Sequence, residues 1–228
     1  MTEISVIFCS RGRPDSLRAS VGSLLHYADD PAAIEVIAAI DPDDTATRAA
    51  APSLPAQASL WIAPERYGYN RLHDYLNQIA KLAQGTWCLW WNDDMRMLTR
   101  GWDLAVRANR PAILWPKANH VHHANIAPAW PRAWSDAMGH VTPTSHMDTY
   151  LQWLGETLGR HDRIPVEIVH DRADVTGGHD DQTYAEGRKL LGSEGMVPGF
   201  DAAGVRAQIE ADAAVIRRLV GGGWGGAR

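Results

Sequence analysis

The sequence predicts an α/β fold: a mostly parallel central sheet flanked by helices, with a C-terminal helical extension. Three observations carry this. The first half of the chain alternates short apolar runs with segments of helical spacing, in the order β-α-β-α-β-α-β. The run Thr86 to Trp91 is apolar, β-branched or aromatic without a break, which suits a strand buried on both faces. That run stops at once on Asn92, Asp93 and Asp94, and in open α/β sheets ligands bind beyond the carboxyl ends of the strands.

Taken in order, Ile4 to Cys9 is the first strand. It ends at Ser10-Arg11-Gly12-Arg13-Pro14, and Pro14-Asp15 opens a helix with Leu17, Val21, Leu24 and Leu25 at helical spacing. Ile34 to Ile40 is the second strand and runs into Asp41-Pro42-Asp43-Asp44. Thr45 to Ala51 suits a short helix, and Ser59 to Ala63 a third strand. A long helix follows over Tyr69 to Gln84, with Leu72, Leu76 and Ile79 on its apolar face and Gly85 read as the glycine just past its end. After Asp94 the pattern loosens. Gly101-Trp102-Asp103 starts a short helix, Ala112 to Trp115 is a strand, and Asn119 to Pro131 reads as strand or loop. Asp148 to Leu158 is helical, Pro165 to Val169 is a strand ending at His170, and Asp181 to Leu191 and Val205 to Val220 are helices. A glycine-rich tail, Gly221 to Arg228, closes the chain.

At 228 residues and 45% hydrophobic content the chain fits one domain of generous size with a real core. Its net charge of −5 argues against a broadly basic nucleic-acid surface. Cys9 and Cys88 fall in expected strands and read as reduced core thiols. No signal peptide is visible, and no apolar run reaches the ~18 residues that span a bilayer. A soluble, cytoplasmic protein without membrane insertion is expected. Ten tryptophans stand against two phenylalanines. Most are expected in the core, and some to stack on a sugar or a base.

The acids after Trp91 need a physical reason, because carboxylates at a buried strand end must be solvated, paired or bound to a cation. A hard divalent cation takes oxygen ligands, and Mg²⁺ is usually held by one or two carboxylates together with substrate phosphates.

The chain resembles, over roughly residues 3 to 190, the family-2-like glycosyltransferases of the GT-A fold, of the compact phage and bacterial type. That family opens with a strand and a T/S-R-x-R-P-type turn, here Ser10 to Pro14. Its second strand ends in an acid, here Asp41. It has an Asn eight residues before a Gly, and a D-x-D motif seven residues after that Gly. Asn77, Gly85 and the triplet from Asn92 reproduce both spacings. The first acid of D-x-D is replaced by Asn92, which leaves Asp94 as the direct metal ligand.

The resemblance implies a single GT-A-type domain. Residues 1–110 form its donor half, 111–200 its acceptor and catalytic half, and 201–228 a helix and tail. It implies a nucleotide-diphosphate sugar donor, a divalent cation (Mn²⁺ or Mg²⁺), and donor contacts from Ser10, Arg11, Asp41, Arg66, Asn70, Asn77, Asn92 and Asp93. Asp94 and His170 are the expected metal ligands, with His179 the alternative to His170. Asp148, in the helix start after the acceptor segment, is the expected base of an inverting transfer, with His146 second; as a plain helix-start carboxylate it suits the dipole. Trp115, His122 and Trp134 are expected to hold the acceptor. That acceptor is a hydroxyl, in one case a hydroxymethylated pyrimidine in DNA reached by base flipping, in the other a glycan or small molecule. His120, His122 and His123 have no partner group at zinc spacing. Two other classes compete. A nucleotidyltransferase shares the architecture but usually carries a richer glycine and lysine/arginine loop after the first strand. A non-catalytic sugar- or nucleotide-binding module shows no turnover with any acceptor.

Overall fold

The computed structural model describes residues 1–119, 124–172, 176, 182–191 and 200–221. The strands are β1 (Ile4–Cys9), β2 (Ile34–Ile40), β3 (Ala58–Ile62), β4 (Trp87–Trp90), β5 (Met95–Met97), β6 (Ile113–Ala118), β7 (Ala129–Pro131) and β8 (His161–His170). The helices are α1 (Pro14–Tyr27), α2 (Thr45–Ala50), α3 (Leu72–Ala80), α4 (Trp102–Arg107), α5 (Arg132–Met138), α6 (Met147–Leu158), α7 (Gln182–Leu191) and α8 (Ala202–Gly221). The strands join in one sheet of order β3-β2-β1-β4-β7-β6-β8-β5. β3, β2, β1 and β4 run parallel. β7 is antiparallel to both β4 and β6, β8 is parallel to β6, and β5 is antiparallel to β8.

β1 lies in the middle of the parallel half, and Ile4, Val6, Ile7 and Phe8 are buried on its two faces. Its one polar member, Ser5, is satisfied: it donates to Glu35 (2.5 Å) and accepts from the Gly85 amide (2.8 Å). Gly85 is required here for a reason other than the one its sequence position suggests. α3 stops at Ala80, and Gly85 does not have a positive φ. A Cβ there would stand 2.6 Å from the Ser5 nitrogen, so the glycine permits backbone approach rather than capping a helix.

The tryptophans are mostly core. Trp91, Trp102, Trp130 and Trp134 are fully buried. Trp91 Nε1 donates to Ser20 Oγ (2.7 Å) and Trp102 Nε1 to the Leu24 carbonyl (2.9 Å), which fastens α1 across the sheet. α8 seats Ile209, Ala213 and Ile216 in the core, packed against α5 and α6. One short strand and one helix were not expected: β5 follows directly on Asp94, and α5 starts directly after β7. β7 itself lies within the stretch read as strand or loop. No helix among the described residues is long and apolar enough to cross a membrane. The glycine-rich tail beyond Gly221 lies outside the described residues.

Candidate active site

The carboxyl ends of β1, β2, β4 and β8 open into one cavity of about 380 Å³. β1 delivers Ser10, Arg11 and Arg13; β2 delivers Asp41; β4 delivers Asn92, Asp93 and Asp94; β8 delivers His170. Parallel pairing of β2, β1 and β4 makes three of these ends coincide. The fourth arrives through β5: its antiparallel register sets Met95 opposite His170. His170 Nε2 thereby lies 3.2 Å from Asp94 Oδ1.

Asp93 is 4% exposed and anchors the turn. Its Oδ2 accepts from Ser10 Oγ (2.7 Å) and its Oδ1 from Arg13 (3.2 Å). Burial pushes its carboxyl up to about 6 against the opposing pull of Arg13. Asp41 is gripped from two sides. The Tyr75 hydroxyl donates to one oxygen, and Arg11 donates to the other at 2.7 Å. The same Tyr75 oxygen accepts from the amides of Tyr67 (2.8 Å) and Gly68 (3.3 Å), tying down the loop that carries Arg66. Arg11 also forks onto Asp43, whose carboxyl it holds down at about 2. Asp44 joins the two loops: it accepts from the Gly12 amide (2.8 Å) and caps α2 through Thr47 (3.0 Å).

The opposite wall comes from α7. Arg66 lies 3.7 Å from Asp41 and donates to Glu186 at 2.6 Å. The Tyr69 ring packs on Gly187, where a Cβ would come within 3.2 Å of it. Arg172 and Arg188 bring to five the arginines that line the cavity among the described residues.

Asp148 enters the cavity from the first turn of α6. Its Oδ1 is enclosed and has no hydrogen-bond partner. A first-turn position favours an anion, yet burial wins and pushes this carboxyl up to about 7. A carboxyl poised there is suited to accept a proton near neutral pH.

The two possible metal ligands fit a cation. Neighbouring ligands of an octahedral ion bound at 2.0–2.1 Å are about 3 Å apart, close to the Asp94–His170 spacing of 3.2 Å. Among the described residues no group of three His, Cys, Asp or Glu side chains is placed to hold an ion. A cation held by this pair would take further ligands from substrate oxygens and water, as Mg²⁺ sites usually do.

Not every expected residue is at this cavity. Asn77 is a structural clamp: its amide accepts from the Val141 nitrogen (2.8 Å) and donates to the Thr142 carbonyl (2.8 Å). Trp134 is 0% exposed, so no acceptor reaches it. Trp115 lies off the cavity on β6, stacked on His161 at 5.8 Å with Arg163 over its ring. Asn70 lines a second cleft instead. His146 meets the Phe200 ring edge-on at 4.9 Å. His120, His122, His123 and His179 lie outside the described residues. Conversely, the sequence did not single out Arg13, Tyr75, Arg172, Glu186 or Arg188. Arg13 had a signal in the turn motif; the others reach the cavity only through tertiary packing.

No family model and no curated relative matches the sequence. Solved structures do match in fold. The mannosyltransferase PcManGT from Pyrobaculum calidifontis in complex with GDP-Man and Mn²⁺ superposes with a TM-score of 0.60 at 16% identity, over 97% of this chain and 76% of that one. TarS from S. aureus superposes with a TM-score of 0.57 at 12% identity over 96% of this chain. This chain spans 43% of TarS. TarS 1-349 in complex with UDP-GlcNAc gives 0.59 at 12% identity, covering 96% of this chain and 73% of that one. At these identities the likeness establishes the fold, which is the GT-A type expected from the sequence.

Proposed function

We propose that this chain is a metal-dependent glycosyltransferase that moves a sugar from a nucleoside-diphosphate donor to a hydroxyl acceptor with inversion. The observation that carries the reading is the Asp94–His170 pair, held at 3.2 Å on the floor of a cavity lined by five arginines. A dianionic leaving group needs such positive charge, and the fold's likeness to proteins solved with GDP-Man and UDP-GlcNAc agrees with it.

In this reading residues 1–110 carry most of the donor side, while 111–200 supply His170 and Asp148. Asp41, oriented by Tyr75 and Arg11, contacts the base or ribose. Asn92 and Asp93 stand beside the ribose and phosphates, and Arg13, Arg66, Arg172 and Arg188 lie around the diphosphate. A divalent cation, Mn²⁺ or Mg²⁺, would be held by Asp94 and His170 and would neutralise charge on the departing diphosphate. Asp148 takes the proton of the acceptor hydroxyl as its oxygen bonds to the anomeric carbon and the carbon–phosphate-oxygen bond breaks.

The test is a screen of UDP- and GDP-sugars with Mn²⁺, read as binding and as slow nucleoside-diphosphate release. Release of pyrophosphate from a nucleoside triphosphate points instead to nucleotidyl transfer. Binding without turnover under every acceptor points to a non-catalytic module.

A further inference from the structure

A second cleft, of about 400 Å³, opens beside the first. Its walls are the turn at Asn70 with His73, the loop Pro143–Ser145, and the start of α8 with Phe200, Asp201 and Gln208. Two short segments run along the wall between the clefts. Tyr69 lines the first and Asn70 the second; Ser145 lines the second, and Asp148, three residues on, the first. The dividing wall is cross-linked, since Ser145 Oγ donates to the Asn70 carbonyl and lies 3.2 Å from His73 Nδ1.

The two clefts differ sharply in charge. Among the described residues five arginines line the first, whereas neither lysine nor arginine lines the second. The second carries one carboxyl side chain among the described residues, Asp201, which caps the Gly204 amide at 2.9 Å. Burial lowers the His73 imidazole below its ordinary range, against the opposing pull of Asp74. The other polar lining residues, Asn70, Thr144, Ser145 and Gln208, are uncharged and stand beside the Phe200 ring; of these, Gln208 also donates to Asp212 at 3.1 Å. Phosphates call for cations. An aromatic ring amid hydroxyls and amides instead suits a ligand with C–H faces and many hydroxyls.

We infer that the cleft between Asn70, Ser145 and Phe200 is an acceptor subsite, and that it takes the neutral, polyhydroxylated part of a carbohydrate whose reacting hydroxyl extends to Asp148. This rests on the glycosyl-transfer reading above. Its logic is a division of charge: the anionic donor occupies the arginine-lined cavity and the uncharged acceptor the arginine-free one. A DNA acceptor is disfavoured here, because its backbone would meet Asp201 with no cation in the cleft to offset it.

The test is ligand-observed saturation-transfer NMR on the full chain. The probes are neutral tetrasaccharides (cello-, malto-, chito- and mannotetraose) and, as the opposing arm, a short single-stranded DNA carrying 5-hydroxymethylcytosine. At least one tetrasaccharide is expected to bind, and Phe200→Ala to weaken it about tenfold through loss of the aromatic face. Val205→Trp, which fills the cleft, is expected to abolish the signal. If Val205→Trp does not fold, Gln208→Trp at the exposed rim serves the same purpose. Binding of the DNA alone, binding of no tetrasaccharide, or tetrasaccharide binding indifferent to all these variants overturns the inference. Titration of the wild-type chain with UDP and GDP in Mn²⁺ is read separately. Its failure counts against the donor reading, while the NMR result still decides the cleft.

Discussion

Asp94 Oδ1 and His170 Nε2 meet at 3.2 Å because a three-residue strand, β5, begins immediately after Asp94 and pairs with the end of β8. The Asp171 amide donating to the Asp94 carbonyl at 2.8 Å locks the same corner. Each side chain therefore sits on a backbone position fixed by sheet hydrogen bonds. A pair fixed this way would lose little entropy on taking up an ion.

Removing either member tests the metal assignment. Asp94→Ala is expected to abolish turnover and Mn²⁺-dependent donor binding, while His170→Ala weakens Mn²⁺ by about tenfold or more. Both variants should melt within a few degrees of wild type, since both side chains lie at strand tips. Mn²⁺ titration followed by electron paramagnetic resonance gives the affinity directly. Wild-type Mn²⁺ affinity in Asp94→Ala would remove the carboxylate from the site.

Asp41 and Tyr75 make a second, independent prediction. Asp41→Ala is expected to weaken nucleotide binding by about 1.5–3 kcal/mol, the range of a hydrogen bond to a charged group. Tyr75→Phe leaves the aspartate in place but releases both it and the Tyr67–Gly68 amides. We expect a smaller loss of affinity, about 1 kcal/mol, measurable by calorimetry with UDP and GDP. Unchanged affinity in Asp41→Ala places the base elsewhere.

The sequence makes the parallel half legible because physics marks it twice there. β1, β2 and β4 are apolar runs, and each ends on residues that cannot stay buried without a partner. Ser10, Arg11, Asp41, Asn92, Asp93 and Asp94 could be named for that reason. The rest was hidden for identifiable causes. β7 is flanked by Pro128 and closed by Pro131, so it carries no strand signature, although Trp90 donates to the Pro128 carbonyl at 2.9 Å. Trp134 has the chemistry of a stacking residue, and only packing shows that it is sealed in the core. Arg172, Glu186 and Arg188 share the cavity with Arg11 through contacts that no local pattern encodes. Asn77 and Gly85 show the reverse case. Their spacing was noticed, but what they do is hold backbone segments together.

Those two residues accordingly predict stability rather than affinity. Asn77→Ala leaves the Val141 amide and the Thr142 carbonyl without their partner and is expected to cost about 1–3 kcal/mol. Gly85→Ala drives a Cβ to 2.6 Å from the Ser5 nitrogen and is expected to cost about 1–3 kcal/mol or more, as overpacking does. Chemical denaturation measures both. Folded Asn77→Ala should bind nucleotide as wild type does. A selective loss of nucleotide affinity at unchanged stability would return Asn77 to the donor site.

Asp148 gives the prediction with opposite signs for rate and stability. Its carboxyl is pushed up to about 7 by burial, from an ordinary 3.8. Below 3.8 both folded and unfolded chains carry the proton, so burial costs nothing. Between 3.8 and about 7 the unfolded chain has ionised and the folded one has not, so stability falls as pH rises. Above about 7 the penalty is complete, with a linkage ceiling of about 4 kcal/mol. Asp148→Asn carries no charge at any pH. It is expected to melt higher than wild type at pH 8 and to lose that advantage towards pH 4. A helix-start carboxylate whose dipole interaction dominated would give the contrary result, a variant that melts lower at pH 8. In kinetics the ionised form is the active one, so the wild-type rate should climb with pH and level off above about 7. Asp148→Asn should cut that rate by about 10²–10⁴-fold and abolish the pH limb, with nucleotide affinity near wild type. Melting curves at the two pH values and one rate profile on this single variant decide the matter. A product that keeps the donor's anomeric configuration removes the need for a base and overturns the assignment whatever the rate.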